Sequence, residues 1–137
     1  MTAVSALTTT CAPVAIGPYS QGVDSGNLVF CSGQLPIDPA TGRLDGTTVG
    51  EQTARSISNL EAVLAAAGLT LAEVVKTTVY LADIDDFAGM NEIYASRFTQ
   101  EVLPARSSFE VAELPRGALV EIEAIAHRPR RPEVPAR

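Results

Sequence analysis

Two hydrophobic periods alternate along this chain. In "PYSQGVDSGNLVFCSGQLP" (18–36), short apolar runs flank Ser25-Gly26-Asn27, which predicts a strand near 19–23, a turn, and a second strand over 28–33. The loop "PIDPATGRLDG" follows, dense in Pro, Gly and Asp. Then the period changes. Thr48 with Glu51 three residues later fits a capping box, and Ala54, Ile57, Leu60, Glu61 and Leu64 trace one mostly apolar helical face that stops at Gly68. "VVKTTVYL" (74–81) is rich in β-branched residues and predicts a central strand. Asp85 or Asp86 can cap a second helix whose stripe is Phe87, Met90, Tyr94 and Phe98, with Asn91 at its edge where a hydrophobe would be expected. Two final strands flank a Pro-Arg-Gly turn at 115–117. The order strand–strand–helix–strand–helix–strand–strand predicts an α+β fold with both helices on one face of the sheet.

Residues two apart in a strand share a face. In the last strand, Val120, Ile122, Ala124 and Ala126 suit the helices, which leaves Leu119, Glu121, Glu123 and Ile125 on the other side. In the strand before it, the same rule gives Ala105, Ser107, Phe109 and Val111 to the helices and Arg106, Ser108, Glu110 and Ala112 to the opposite face. That second face is mixed, with an arginine and several carboxylates among apolar residues. Two readings fit: a solvated face with weak rim ion pairs, or a face covered by a neighbouring subunit, with Arg106 and a glutamate lining a cleft at the seam. Parity does not choose between them.

Length places residues 1–127 in one domain, followed by the tail "RPRRPEVPAR" (128–137). The tail carries +3 and the rest −9, and an acidic body argues against tracking nucleic-acid phosphates. No uninterrupted apolar run approaches the ~18 residues of a membrane helix, and the first ten residues lack the pattern of a secretory signal. Cys11 and Cys31 are too few and too isolated for a disulfide framework or a zinc site. A cytoplasmic protein is expected. His127 is the single histidine, so Ser-His-Asp, Cys-His and multi-histidine metal sites are excluded. "GPYSQG" lacks the Lys and Ser/Thr of a phosphate loop. Any enzyme built from this chain works with Arg, Glu, Tyr, Ser, Asn and backbone groups, without metal or cofactor.

Four stretches carry a family likeness: "AIGPYSQGV", "CSGQLPIDPATG", "AAGLTLAEVVKTTVYLADIDDFAGMNEIYASRF" and "PARSSFEVAELPRGALVEIEAIA". Together, in this order and over residues 7–127, they resemble the reactive-intermediate deaminases, the Rid (YjgF or L-PSP) family. The arginine of "PARS" resembles the branch that acts as a deaminase. The resemblance implies a chorismate-mutase-like α+β fold and a homotrimer with a central sheet barrel and three clefts between subunits. It also implies hydrolysis of 2-imino acids, 2-iminobutanoate and 2-iminopropanoate among them, to 2-oxo acids and ammonia. By position, Arg106 matches the arginine that grips the substrate carboxylate, and Glu121 the glutamate that orients or activates water. Tyr19, Ser32, Gly33, Asn91 and Ser108 match other cleft-lining positions. Many members carry cysteine where this chain has Ser108, and the Arg/Pro tail lies outside the family pattern.

Two rival readings fit the same residues. One is a ligand-binding or regulatory trimer that uses the same arginine to sense 2-oxo acids. The other is the ribonuclease or translation-inhibitor activity ascribed to some relatives, against which the acidic body and the lack of a histidine acid–base pair both count.

Overall fold

The computed structural model describes residues 3–129 and residue 135. Most of the basic tail therefore lies outside the described residues. Six strands and two helices follow one another as β1 (Ser5–Leu7), β2 (Gly22–Asp24), β3 (Leu28–Gln34), α1 (Val49–Ala66), β4 (Val74–Leu81), α2 (Phe87–Arg97), β5 (Ala105–Glu110) and β6 (Val120–His127). They form one mixed sheet in the order β1-β2-β3-β6-β4-β5. Only the edge pair β4–β5 is parallel, and its crossover is α2. The α+β architecture expected from the pattern is the one observed, with β1 as an added three-residue strand.

Local chemistry explains the boundaries. Thr48 Oγ1 accepts the Glu51 amide at 3.2 Å and starts α1, while the Glu51 carboxylate reaches back to the Thr47 amide rather than that of Thr48. Gly68, at φ +74°, ends the helix in the left-handed conformation that glycine adopts without strain. Asp86 precedes α2 but makes no capping bond; Asp83 instead caps the short turn Ile84–Asp86.

Both helices cover one sheet face. Ile57, Leu60, Val63 and Leu64 of α1 and Met90 of α2 bury against Val29, Val79, Leu81, Val120 and Ile122. Each such side chain contributes about 1.5–3 kcal/mol of burial. The α1 face that goes inward is more polar than its spacing implied. Gln52, Thr53, Ser56 and Asn59 are buried, while Glu61 lies half-exposed and pairs with Arg97 of α2. Two of the buried residues hold the loop after β3: Asn59 Nδ2 donates to the Leu35 and Ile37 carbonyls at 3.0 and 2.9 Å, and Gln52 Nε2 to Gly46 at 3.1 Å.

The other sheet face has no covering layer among the described residues. Phe30 and Phe109 stand 41% and 46% exposed there, Phe30 beside half-buried Ile125 and Phe109 beside half-buried Tyr80. No helix among the described residues is long and apolar enough to cross a membrane.

Candidate functional site

Strand register corrects the face assigned to Arg106. β5 pairs in parallel with β4 so that Arg106 lies beside Thr77, Ser108 beside Val79 and Phe109 beside Tyr80. Thr77 and Val79 are buried beneath the helices, so Arg106 and Ser108 share the helix side. Ala105, Ser107 and Phe109, expected on that side, instead face the open sheet surface, where Phe109 packs edge-on against Tyr80 at 5.3 Å. Apolar character misled the parity argument, because an edge strand can leave a phenylalanine on an exposed face.

The Arg106 half of the site rests on aromatic rings. The guanidinium carbon lies 4.7 Å from the Tyr94 ring centroid and 5.5 Å from that of Phe87, both on α2. Tyr94 is fixed in turn by a 2.7 Å hydrogen bond between its hydroxyl and Thr77 Oγ1. Burial pushes the Tyr94 phenol above its ordinary pKa, against smaller opposing effects of Thr77 and Arg106. Asn91 lies four residues after Phe87 and three before Tyr94, so it flanks the same platform. Three ion pairs occur among the described residues, and Arg106 takes part in none of them. Ser108 Oγ is buried on the same strand face without a hydrogen-bond partner. A stacked guanidinium with its in-plane N–H groups free is suited to bidentate capture of a carboxylate.

The Glu121 half lies across the sheet, in a cleft of about 600 Å³ lined by Tyr19, Ser32, Gly33, Arg116, Glu121 and Glu123, with Val14, Ile16, Ile37 and Pro39 as apolar walls. A bulge shapes its floor: Cys31 pairs with Ala124 and Gln34 with Ile122, so β3 spends one extra residue over Ser32-Gly33. Gly33 lets the glutamate lie flat. A β-carbon there would sit 3.0 Å from Glu121 Cδ and 3.2 Å from its Oε1. Ser32 Oγ donates to the Ser20 carbonyl at 2.6 Å and holds the Tyr19–Ser20 turn over the bulge. Behind that turn, buried Gln21 accepts the Thr9 amide and donates to the Thr9 and Pro13 carbonyls, which fixes the 9–13 segment at the cleft wall. Gln21 carried no sequence signal for this role, since a glutamine inside a predicted strand reads as a surface residue.

Burial raises the Glu121 carboxyl above the usual carboxylate range, and the neighbouring Glu123 charge adds to the shift. Glu123 accepts a hydrogen bond from the Tyr80 hydroxyl, which helps push that phenol up to about 12. A carboxylate that holds a proton more readily than usual can take one from water and return it. Among the described residues no cluster of His, Cys, Asp and Glu is arranged to hold a metal ion.

Within one chain, then, Tyr19, Ser32, Gly33 and Glu121 converge, and Arg106, Ser108 and Asn91 form a second group on the other side of the sheet. The family model described as Endoribonuclease L-PSP matches residues 9–128. The chain belongs to the L-PSP (YjgF/Rid) family. Among Rid relatives, it is 49% identical over 119 residues to the 2-iminobutanoate/2-iminopropanoate deaminase of Escherichia coli K12, covering 85% of this chain and 92% of that protein. It is 50% identical over 117 residues to a RutC family protein of Pyrococcus horikoshii, with 85% and 92% covered. The crystal structure of Escherichia coli TdcF with bound serine superposes with a TM-score of 0.87 at 45% identity, covering 91% and 99% of the two chains. The chain therefore has the Rid fold, and its relatives carry both deaminase and endoribonuclease names.

Proposed function

We propose that the protein is an imine deaminase that hydrolyses 2-imino acids, 2-iminobutanoate and 2-iminopropanoate among them, at clefts built from two copies of the chain. The observation that carries this reading is the division of the site. The cation that can hold a carboxylate and the carboxylate that can handle a proton lie on opposite faces of one sheet, so no single chain brings them to one substrate. The uncovered sheet face, which leaves the Phe30–Ile125 and Phe109–Tyr80 pairs partly exposed on either side of Lys76 and Glu123, supports association through the sheet. The family resemblance sets the expected assembly as a homotrimer.

In this reading Arg106 and Asn91 of one subunit hold the substrate carboxylate beside the Tyr19–Gly33–Glu121 cleft of the next. Water adds to the carbon of the protonated imine as Glu121 takes one of the water protons, which gives a neutral tetrahedral amino-hydroxy acid. Glu121 returns that proton to nitrogen, and as the C–N bond breaks the hydroxyl gives its proton to the same carboxylate, so that ammonia leaves and a 2-oxo acid remains. No electrons are transferred, and the residues present suffice for each proton movement.

The endoribonuclease name in the family suggests RNA cleavage as the other reading. Here the Glu121 cleft holds two carboxylates and one arginine, and His127, the lone histidine, lies exposed at the end of β6. Such a cleft repels a phosphodiester. The deciding experiment supplies threonine to a threonine dehydratase and follows release of 2-oxobutanoate with and without this protein. Faster release is expected. An unchanged rate with active dehydratase removes the deaminase reading.

A further inference from the structure

Arg116 is the one non-glycine residue at positive φ among the described residues, with φ 59° and ψ 18°. It sits in the turn Pro115–Gly117, four residues before β6 begins, and lines the Glu121 cleft. Left-handed backbone is uncommon for a residue with a β-carbon, and where it persists the surrounding structure holds it there for a reason. The side chain supplies one. Arg116 Nη1 donates to the Gly42 carbonyl at 2.6 Å, a contact between residues 74 apart in sequence.

That contact falls at a particular place in the loop between β3 and α1. Both ends of the loop are held by buried α1 side chains, Asn59 at Leu35 and Ile37 and Gln52 at Gly46. The loop also closes on itself, with the Asp38 and Asp45 amides donating to the Arg43 and Pro36 carbonyls and a bridge between Ile37 and Leu44. Its tip, Asp38–Arg43, is tied to the rest of the described residues by the Arg116 bond. Ile37, Pro39 and Gly42 of this loop face the same cleft as Glu121.

We propose that Arg116 is a positioning residue, a clasp that braces the tip of the 36–46 loop as the wall of the Glu121 cleft. Its kinetic consequence rests on the proposed deaminase reaction, and its structural consequence does not. The clasp acts on the shape of the cleft that receives substrate. Among the described residues it forms neither an ion pair nor a hydrogen bond with Glu121, so its loss falls on KM rather than kcat.

Arg116→Gly tests this without endangering the fold, because glycine adopts the left-handed conformation freely while removing the guanidinium. The expected result is a melting temperature equal to or above that of the wild type. Hydrogen exchange of the Asp38–Arg43 amides should be about tenfold faster, and KM about three- to tenfold higher with kcat unchanged. Arg116→Lys, which keeps a donor on a long stem, should hold exchange closer to the wild-type rate. Unchanged exchange in Arg116→Gly overturns the clasp. Faster exchange with unchanged KM overturns its link to the cleft, and a fall in kcat alone overturns the positioning role. If the wild-type protein hydrolyses no imine, the deaminase reading fails by itself, and the exchange comparison still decides the clasp.

Discussion

Gly33→Ala separates the position of Glu121 from its presence. The added methyl group would lie 3.0 Å from Glu121 Cδ, 3.2 Å from Oε1 and 3.3 Å from Cγ, all closer than ordinary contact. Gly33 is not among the glycines at positive φ, so alanine fits its backbone and the carboxylate must move instead. Restricting the unfolded chain gains about 0.4–1 kcal/mol, and pushing one side chain off its rotamer costs about 0.5–1.5 kcal/mol. Stability should therefore change by no more than about 1 kcal/mol, a few degrees in melting temperature. Catalysis should respond far more, because a displacement of about 1 Å can cost on the order of 100-fold. The assay is coupled 2-oxobutanoate release alongside thermal melting. A loss of about 10–100-fold in kcat at near-native stability is expected, and Gly33→Ala should add little further loss in a Glu121→Gln background. Turnover within about twofold of wild type, with the protein fully folded, would refute a catalytic role for the Glu121 position.

Three further outcomes follow from the same geometry. Arg106→Lys keeps the charge but loses the planar fork, so kcat/KM should fall on the order of 10–100-fold or more. Its melting temperature should move little, since the stacking on Tyr94 and Phe87 contributes about 0.5–1 kcal/mol; a variant that unfolds or dissociates would make the arginine structural. Glu123→Gln removes the second cause of the raised Glu121 pKa, after burial. The acidic limb of kcat/KM, which reports formation of the Glu121 carboxylate, should therefore shift to lower pH. Glu121 itself, with a folded pKa above its unfolded value, contributes stability that is full below that unfolded value and is lost as pH rises through the folded pKa. Glu121→Gln should thus melt higher than wild type at neutral pH and equal to it near pH 4. The same melting difference at both pH values would contradict the burial argument.

What could be read from the sequence was what local chemistry controls. The β-branched run of Val74–Leu81 became β4 residue for residue, and the Thr48 cap and Gly68 stop bounded α1. The alternation in β6 placed Glu121 and Glu123 on the open face. What could not be read depended on long-range partners. Tyr19 and Ser20 looked like strand, but the Tyr19 amide bonds back to Gly17 in a tight turn, and β2 begins only at Gly22. The inward polar stripe of α1 has meaning only once the loop carbonyls that it satisfies are in place. The side of Arg106 was set by parallel pairing with β4 and by Tyr94 beneath it, neither of which hydrophobic alternation in a six-residue edge strand can reveal. The family likeness supplied the site residues; it took the register to divide them into two groups.

The claim that each site joins Arg106 of one copy to Glu121 of another is tested most directly by mixing inactive subunits. Arg106→Ala and Glu121→Gln chains, each with its own tag, would be co-expressed, and the doubly tagged assemblies purified and assayed for imine hydrolysis. In a cyclic trimer every mixed assembly contains one seam of three with both native residues, so the purified mixed assemblies should show about a third of the wild-type rate. Mixed trimers as inactive as either parent would contradict the account, because the two residues would then have to act from the same chain.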